Sequence, residues 1–106
     1  MAEKELNCRG DLEKVIRDGV TLVDFNAPWC GPCRAQESIV KEVGERYSGK
    51  ANIATMNIDN NSDVALNLGI QSIPTLIIFK DGREVGRFVG LQKAETLTQA
   101  MDQALA

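Results

Sequence analysis

The chain has 106 residues, 43% of them hydrophobic and 25% charged, with a formal net charge of -3. That is the composition of one globular domain over residues 1–106, and it excludes disordered and fibrous classes. Acidic and basic residues are intermixed with no basic run, so nothing marks the chain for nucleic acid or an anionic membrane, and the longest apolar stretch, "LIIF" at 76–79, is too short to cross a bilayer. Residues 3–6 offer a short edge strand. In "DLEKVIRD" at 11–18, Leu12, Val15 and Ile16 share one face of a helix that Gly19 would close as a left-handed cap. "VTLVDF" at 20–25 is β-branched and apolar enough for a buried strand, with Asp24 as its anomaly. Directly after it comes "NAPWCGPCR", and from Cys33 to Tyr47 the residues Ile39, Val40, Val43 and Tyr47 recur at helical spacing. A strand at 52–58 follows, then a short helix with Asn61 or Ser62 as N-cap, carrying Val64, Ala65 and Leu68 and ending at Gly69. "TLIIF", the tight turn "KDG" at 80–82 and "REVGRFV" read as a β-hairpin. Ala94, Leu97, Ala100, Met101, Ala104 and Leu105 mark the apolar face of a terminal helix. The expected architecture is α/β: a right-handed βαβ crossover, then an antiparallel hairpin, giving a mixed sheet with helices on both faces.

Cys30 and Cys33 fall at the strand-to-helix junction. Three cysteines, two of them separated by only two residues, and no apolar leader in "MAEKELNCRG" suit a reducing, cytoplasmic setting better than a secreted scaffold. A zinc site needs four ligands, and this chain has no His and only one further cysteine, Cys8. A cluster bridging two chains is the remaining metal reading. As mere small hydrophobes the pair would have no reason to lie at a helix start. There, the unpaired N–H groups and the positive end of the macrodipole favour a thiolate, which makes redox chemistry the better account. Cys30, at the loop edge and facing solvent, is placed to attack a partner's disulfide; Cys33, about one turn in, is placed to reach back and displace the partner. Pro32 suits a first helical turn, and Gly31 leaves room for a partner backbone.

With "VDFNAPWCGPCR", "NIDNN", "SIPTLIIFKDGREVGRFVG" and the final amphipathic helix, the sequence resembles the thioredoxin family over essentially its whole length. The resemblance implies a central mixed sheet of four to five strands flanked by four helices. It also implies a monomeric, cofactor-free protein-disulfide reductase, re-reduced by a thioredoxin reductase and acting on disulfide-containing client proteins. Cys30 would be the nucleophile and Cys33 the resolving thiol. Asp24 matches a buried aspartate that would accept the proton of Cys33 through water. Pro74 matches a cis-proline beside the disulfide that leaves the backbone of Ile73 open to a substrate strand. Trp29, with Pro28, would offer apolar contact area to clients, and Gly90 close substrate approach. Gly82 is explained by the hairpin turn.

Three departures stand out. Asn26 occupies the place of a usual second Trp, and Thr55 the place of a Lys near the buried acid, so the pKa of Asp24 is expected to rise further than in a typical member. Ser38 replaces a helix-kinking proline and predicts a straighter helix. Cys8 has no counterpart and reads as inert. The Asn26 and Thr55 departures motivate a second reading, a specialised oxidoreductase that serves a restricted client or acts as an oxidant or isomerase; from a different class, the chain could be a binding module whose redox chemistry is incidental.

Overall fold

The computed structural model describes residues 4–106, so residue 3 of the expected edge strand lies outside the described residues. Among the described residues, five strands and four α-helices follow in the order β1 (Lys4–Leu6), α1 (Arg9–Ile16), β2 (Val20–Asn26), α2 (Gly31–Arg46), β3 (Asn52–Asn57), α3 (Ser62–Leu68), β4 (Thr75–Lys80), β5 (Arg83–Val89) and α4 (Ala94–Leu105). A single 3-10 turn, Ile58–Asn60, joins β3 to α3. Sheet order is β1-β3-β2-β4-β5. β3 runs parallel to both β1 and β2, while β4 is antiparallel to β2 and to β5. The mixed sheet with four helices is therefore present in its five-stranded form.

Side-chain alternation along the strands divides the core in two. Val23, Phe25, Ala54, Met56, Ile77 and Phe79 point to the face covered by Leu12 and Val15 of α1 and Val64 of α3. Val20, Leu22, Ile53, Leu76 and Ile78 point to the opposite face, against Val40 and Val43 of α2 and Leu97 and Met101 of α4. The same parity assigns Asp24 and Asn26 of β2, and Thr55 and Asn57 of β3, to the face under α2. The anomalous acid in an apolar strand thus lies beneath the helix that begins at the cysteine motif.

Several boundaries differ from the sequence reading, among them both ends of α1, the start of α2 and the end of β3, which stops at Asn57 rather than residue 58. α1 starts and ends two residues earlier than expected, with Cys8 as its extended N-cap and the right-handed Arg17 as its C-cap. Gly19 does adopt φ +73°, but in the connection to β2 rather than as the helix cap. The end of α1 is instead closed by the hairpin: the Ile16 carbonyl accepts from Gly82 N–H (2.8 Å) and Gly19 N–H donates to Asp81 Oδ1 (2.8 Å). Asp81 (φ 51°) and Gly82 (φ 87°) are the two left-handed residues that a tight two-residue hairpin turn requires. α2 begins two residues before Cys33 and is α-helical without interruption through Ser38.

Candidate functional site

Cys30 is the N-cap of α2, with Gly31 and Pro32 opening the first turn. Proline is favoured here because its missing N–H costs nothing where helical N–H groups have no partner. Cys30 and Cys33 are joined as a disulfide, their Cα atoms 5.3 Å apart. Cys33 N–H donates to Cys30 Sγ at 3.2 Å, so an orphan helical donor already points at the sulfur. No acidic side chain in the first turn opposes the helix field.

Both cysteines are buried: Cys30 and Cys33 are each 5% exposed. Cys30 is therefore not open to solvent as its loop-edge position implied. Its side chain folds under the helix start to meet Cys33, and the Ile73 carbonyl oxygen lies 3.8 Å from Cys30 Sγ on the other side. The disulfide sulfur carries no hydrogen, so this is a packing contact. What is exposed is the rim around the pair, with Pro28, Trp29, Gly31 and Pro32 all at the surface.

The Ile73–Pro74 peptide bond is cis. It lies at the start of β4, and the buried Pro74 presents its carbonyl to Gly90 N–H at 2.8 Å. Gly90 has φ +90°, so its identity follows from its backbone conformation. Trp29 is 69% exposed, yet its indole is oriented, because Nε1 donates to Asp59 Oδ2 at 2.9 Å. Asp59 sits in the 3-10 turn after β3, a partner that sequence spacing did not reveal.

Asp24 is 1% exposed, in the middle of β2 and opposite Thr55 of β3 and Leu76 of β4. Two of the three departures from the family pattern meet beside it. Asn26 Nδ2 donates to Thr55 Oγ1 at 2.7 Å, joining β2 to β3 on the face under α2. An open polar cleft of about 500 Å3 borders this pair, with Cys33, Arg34, Glu37 and Asn57 also in its wall. Where a bulky apolar wall was the family expectation, this chain has a polar edge next to Cys33.

Sequence reasoning missed Gln36. It is fully buried on the sheet-facing stripe of α2, one turn past Cys33, and both ends of its amide bond the backbone of Gln92. A polar residue inside an apolar helical period carries no signal until its partner is known. Cys8 is exposed and unpaired with another cysteine, at the start of α1. Among the described residues, no helix is long and apolar enough to cross a membrane.

Comparison with known proteins agrees with this geometry. The family model described as Thioredoxin matches residues 6–103. A curated relative, thioredoxin of Staphylococcus aureus, is 42% identical over 95 residues, covering 90% of this chain and 91% of the relative. Among solved structures, a mutant thioredoxin from Halobacterium salinarum superposes with a TM-score of 0.92 at 31% identity, over 98% of this chain and 91% of the other. Plasmodium falciparum thioredoxin gives 0.86 at 27% identity, over 94% and 97%.

Proposed function

This chain belongs to the thioredoxin family of thiol-disulfide oxidoreductases, with Cys30 and Cys33 as its active-site pair, and from that premise we propose how its own residues divide the work of protein-disulfide reduction. In the dithiol form, the Cys30 thiolate attacks one sulfur of a client disulfide. The client bond breaks, one client thiolate leaves, and a mixed disulfide joins the client to Cys30. Cys33 then loses its proton to Asp24 through water, and its thiolate attacks Cys30 Sγ. The bond between Cys30 and the client breaks, and the second client sulfur leaves as a thiolate that takes its proton from solvent. Two electrons have passed to the client, and the Cys30–Cys33 disulfide is the oxidised product.

The observation that carries this assignment is the placing of Cys30 at the N-cap of α2, where Cys33 N–H points at its sulfur. A donor in that position stabilises the Cys30 thiolate, while Cys33, inside the helix, lacks the same support. Asp24 lies on the sheet face under α2, which suits a proton acceptor for the resolving step. Trp29, Gly31, Pro32, Ile73, Pro74 and Gly90 form the docking rim for an extended client segment. A thioredoxin reductase returns two electrons to the disulfide, and the monomeric chain works in a reducing cytoplasm.

Insulin reduction tests the division of roles. The wild-type chain reduces insulin, and Cys30→Ser and Cys33→Ser both abolish turnover, but only Cys33→Ser accumulates a mixed disulfide with the client. Trapping by Cys30→Ser instead would reverse the assignment.

A second reading is favoured by the Asn26–Thr55 hydrogen bond and its polar cleft: a site tuned to a restricted client or to oxidation. The reduction potential of the Cys30–Cys33 couple decides between them.

A further inference from the structure

Cys33, Gln36, Val40 and Val43 form the buried stripe of α2, and Gln36 is fully buried within it. An amide taken from water costs free energy unless both its donor and its acceptor find partners. Gln36 Oε1 accepts from Gln92 N–H at 2.7 Å, and Gln36 Nε2 donates to the Gln92 carbonyl at 3.1 Å. Both bonds go to main chain, so they fix the course of the backbone between β5 and α4.

That segment flanks the redox pair. Gly90 N–H donates to the Pro74 carbonyl at 2.8 Å, and the neighbouring Ile73 carbonyl lies 3.8 Å from Cys30 Sγ. The Gln92 side chain adds bonds from Nε2 to the carbonyls of Val89 and Gly90, each 3.3 Å. A closed path therefore runs from Cys33 through one turn of α2 to Gln36, Gln92, Gly90, Pro74 and Ile73, and back to Cys30. The loop on this path also carries Leu91, an apolar side chain 52% exposed on the same stretch.

We propose that Gln36 is a positioning residue, which holds the Gly90–Gln92 loop, and through it the Ile73–Pro74 edge, in the geometry that receives a client backbone. This rests on the reading of Ile73, Pro74 and Gly90 as the docking rim. An apolar residue of similar length would fill the stripe but leave the N–H and the carbonyl of Gln92 without partners. The loop would then turn those groups to water and carry Leu91 away from the rim. The sulfur chemistry, which Gln36 does not touch, would stay in place.

The test is saturation kinetics with a disulfide-bonded peptide, for the wild type, Gln36→Met, Gln36→Glu and Trp29→Ala. Gln36→Met raises KM by at least about fivefold, since two hydrogen bonds are lost and one alone is worth about that much, while kcat and the reduction potential of the pair hold. Gln36→Glu supplies a pH-dependent rescue. As a neutral acid it offers one O–H donor and one acceptor in the same arrangement, and burial favours that form. Its KM relative to wild type at the same pH is therefore near one at about pH 6 and rises toward about pH 8 as the carboxyl ionises. A purely structural residue would lower the unfolding temperature without this pH-dependent split. The clamp is overturned if KM of Gln36→Met equals wild type, or if the Gln36→Glu ratio does not change across the pH range in which NMR shows the introduced carboxyl to ionise. The second criterion stands even where the Met variant does not fold. If Trp29→Ala also leaves KM unchanged, it is the docking rim, not the clamp upon it, that is misplaced.

Discussion

Asn26 and Thr55 look in the sequence like two separate losses, a missing aromatic wall and a missing ammonium. In space they are one substitution unit, because the strand register sets Asp24 opposite Thr55 and brings Asn26 diagonally onto the same face. The 2.7 Å bond between them satisfies a half-buried amide with a hydroxyl. If they act as a pair, removing either should leave the other short of a partner. In a double-mutant cycle of Asn26→Ala and Thr55→Val, followed by denaturant unfolding, we expect each single change to cost about 0.5–1.5 kcal/mol and the two to be coupled by a similar amount. Strict additivity would show that the bond contributes nothing. This partnership was not legible in the sequence: residues 29 apart along the chain meet only through sheet register. The cysteine pair was legible, because its spacing and its helix-start position carry their own chemistry. The burial of Cys30 was not, since it depends on the fold of the side chain toward Cys33 and Ile73.

At the scale of elements, pattern and turn signals located the four α-helices and β2 to β5, while Ile58, which opens the 3-10 turn Ile58–Asn60, reads as the end of a strand, and the other errors lie at element ends. The end of α1 is closed by the Asp81–Gly82 turn, 62 residues away from Gly19 by sequence, and no local signal announces that. The start of α2 at Gly31 lies two residues before the first buried side chain of its stripe, because Gly31 and Pro32 are surface residues with no apolar period to count. The far end of the same helix is tied in a comparable way. Tyr47, its C-cap, brings its hydroxyl to 2.9 Å from the Thr98 carbonyl and 2.6 Å from Asp102 Oδ1 on α4, so one O–H proton serves two acceptors. Burial first, then the hydrogen bond to Asp102 and its charge, push the Tyr47 pKa up to about 12. The ordinary value is about 10, so the folded chain keeps a proton that the unfolded chain releases between those limits. Stability from this group is complete below about pH 10 and is lost as pH rises toward about 12. Absorbance titration of this single tyrosine, alongside denaturation across that window, should show the raised midpoint and the falling stability. Tyr47→Phe should cost about 1 kcal/mol at neutral pH and flatten the alkaline slope relative to wild type. An ordinary phenol midpoint would count against the tie.

Across the whole molecule, the sheet acts as a partition. The apolar residues of β2 and β4 alternate between two half-cores, one under α1 and α3 and one under α2 and α4, and the active site is built on the second. Asp24, Asn26 and Thr55 share that face with Leu22, Leu76 and Ile78, which is why a polar site can lie at one edge of a hydrophobic layer while the opposite layer stays apolar. Two layers separated by a hydrogen-bonded sheet share few contacts, so damage to one should not be felt as strain in the other. Leu12 on α1 and Leu97 on α4 are buried in different layers. Each truncation to Ala should cost about 2–5 kcal/mol, from lost burial and the cavity left behind. Because sites without shared partners add to within about 0.5 kcal/mol, the double variant should lose the sum of the two. Against a total stability of about 5–15 kcal/mol for a domain, that sum brings the chain close to unfolding. Urea denaturation of the two single variants and the double variant measures it. A double-variant loss well short of the sum would mean that the layers relax together, and that the sheet transmits packing changes rather than insulating the redox face from them.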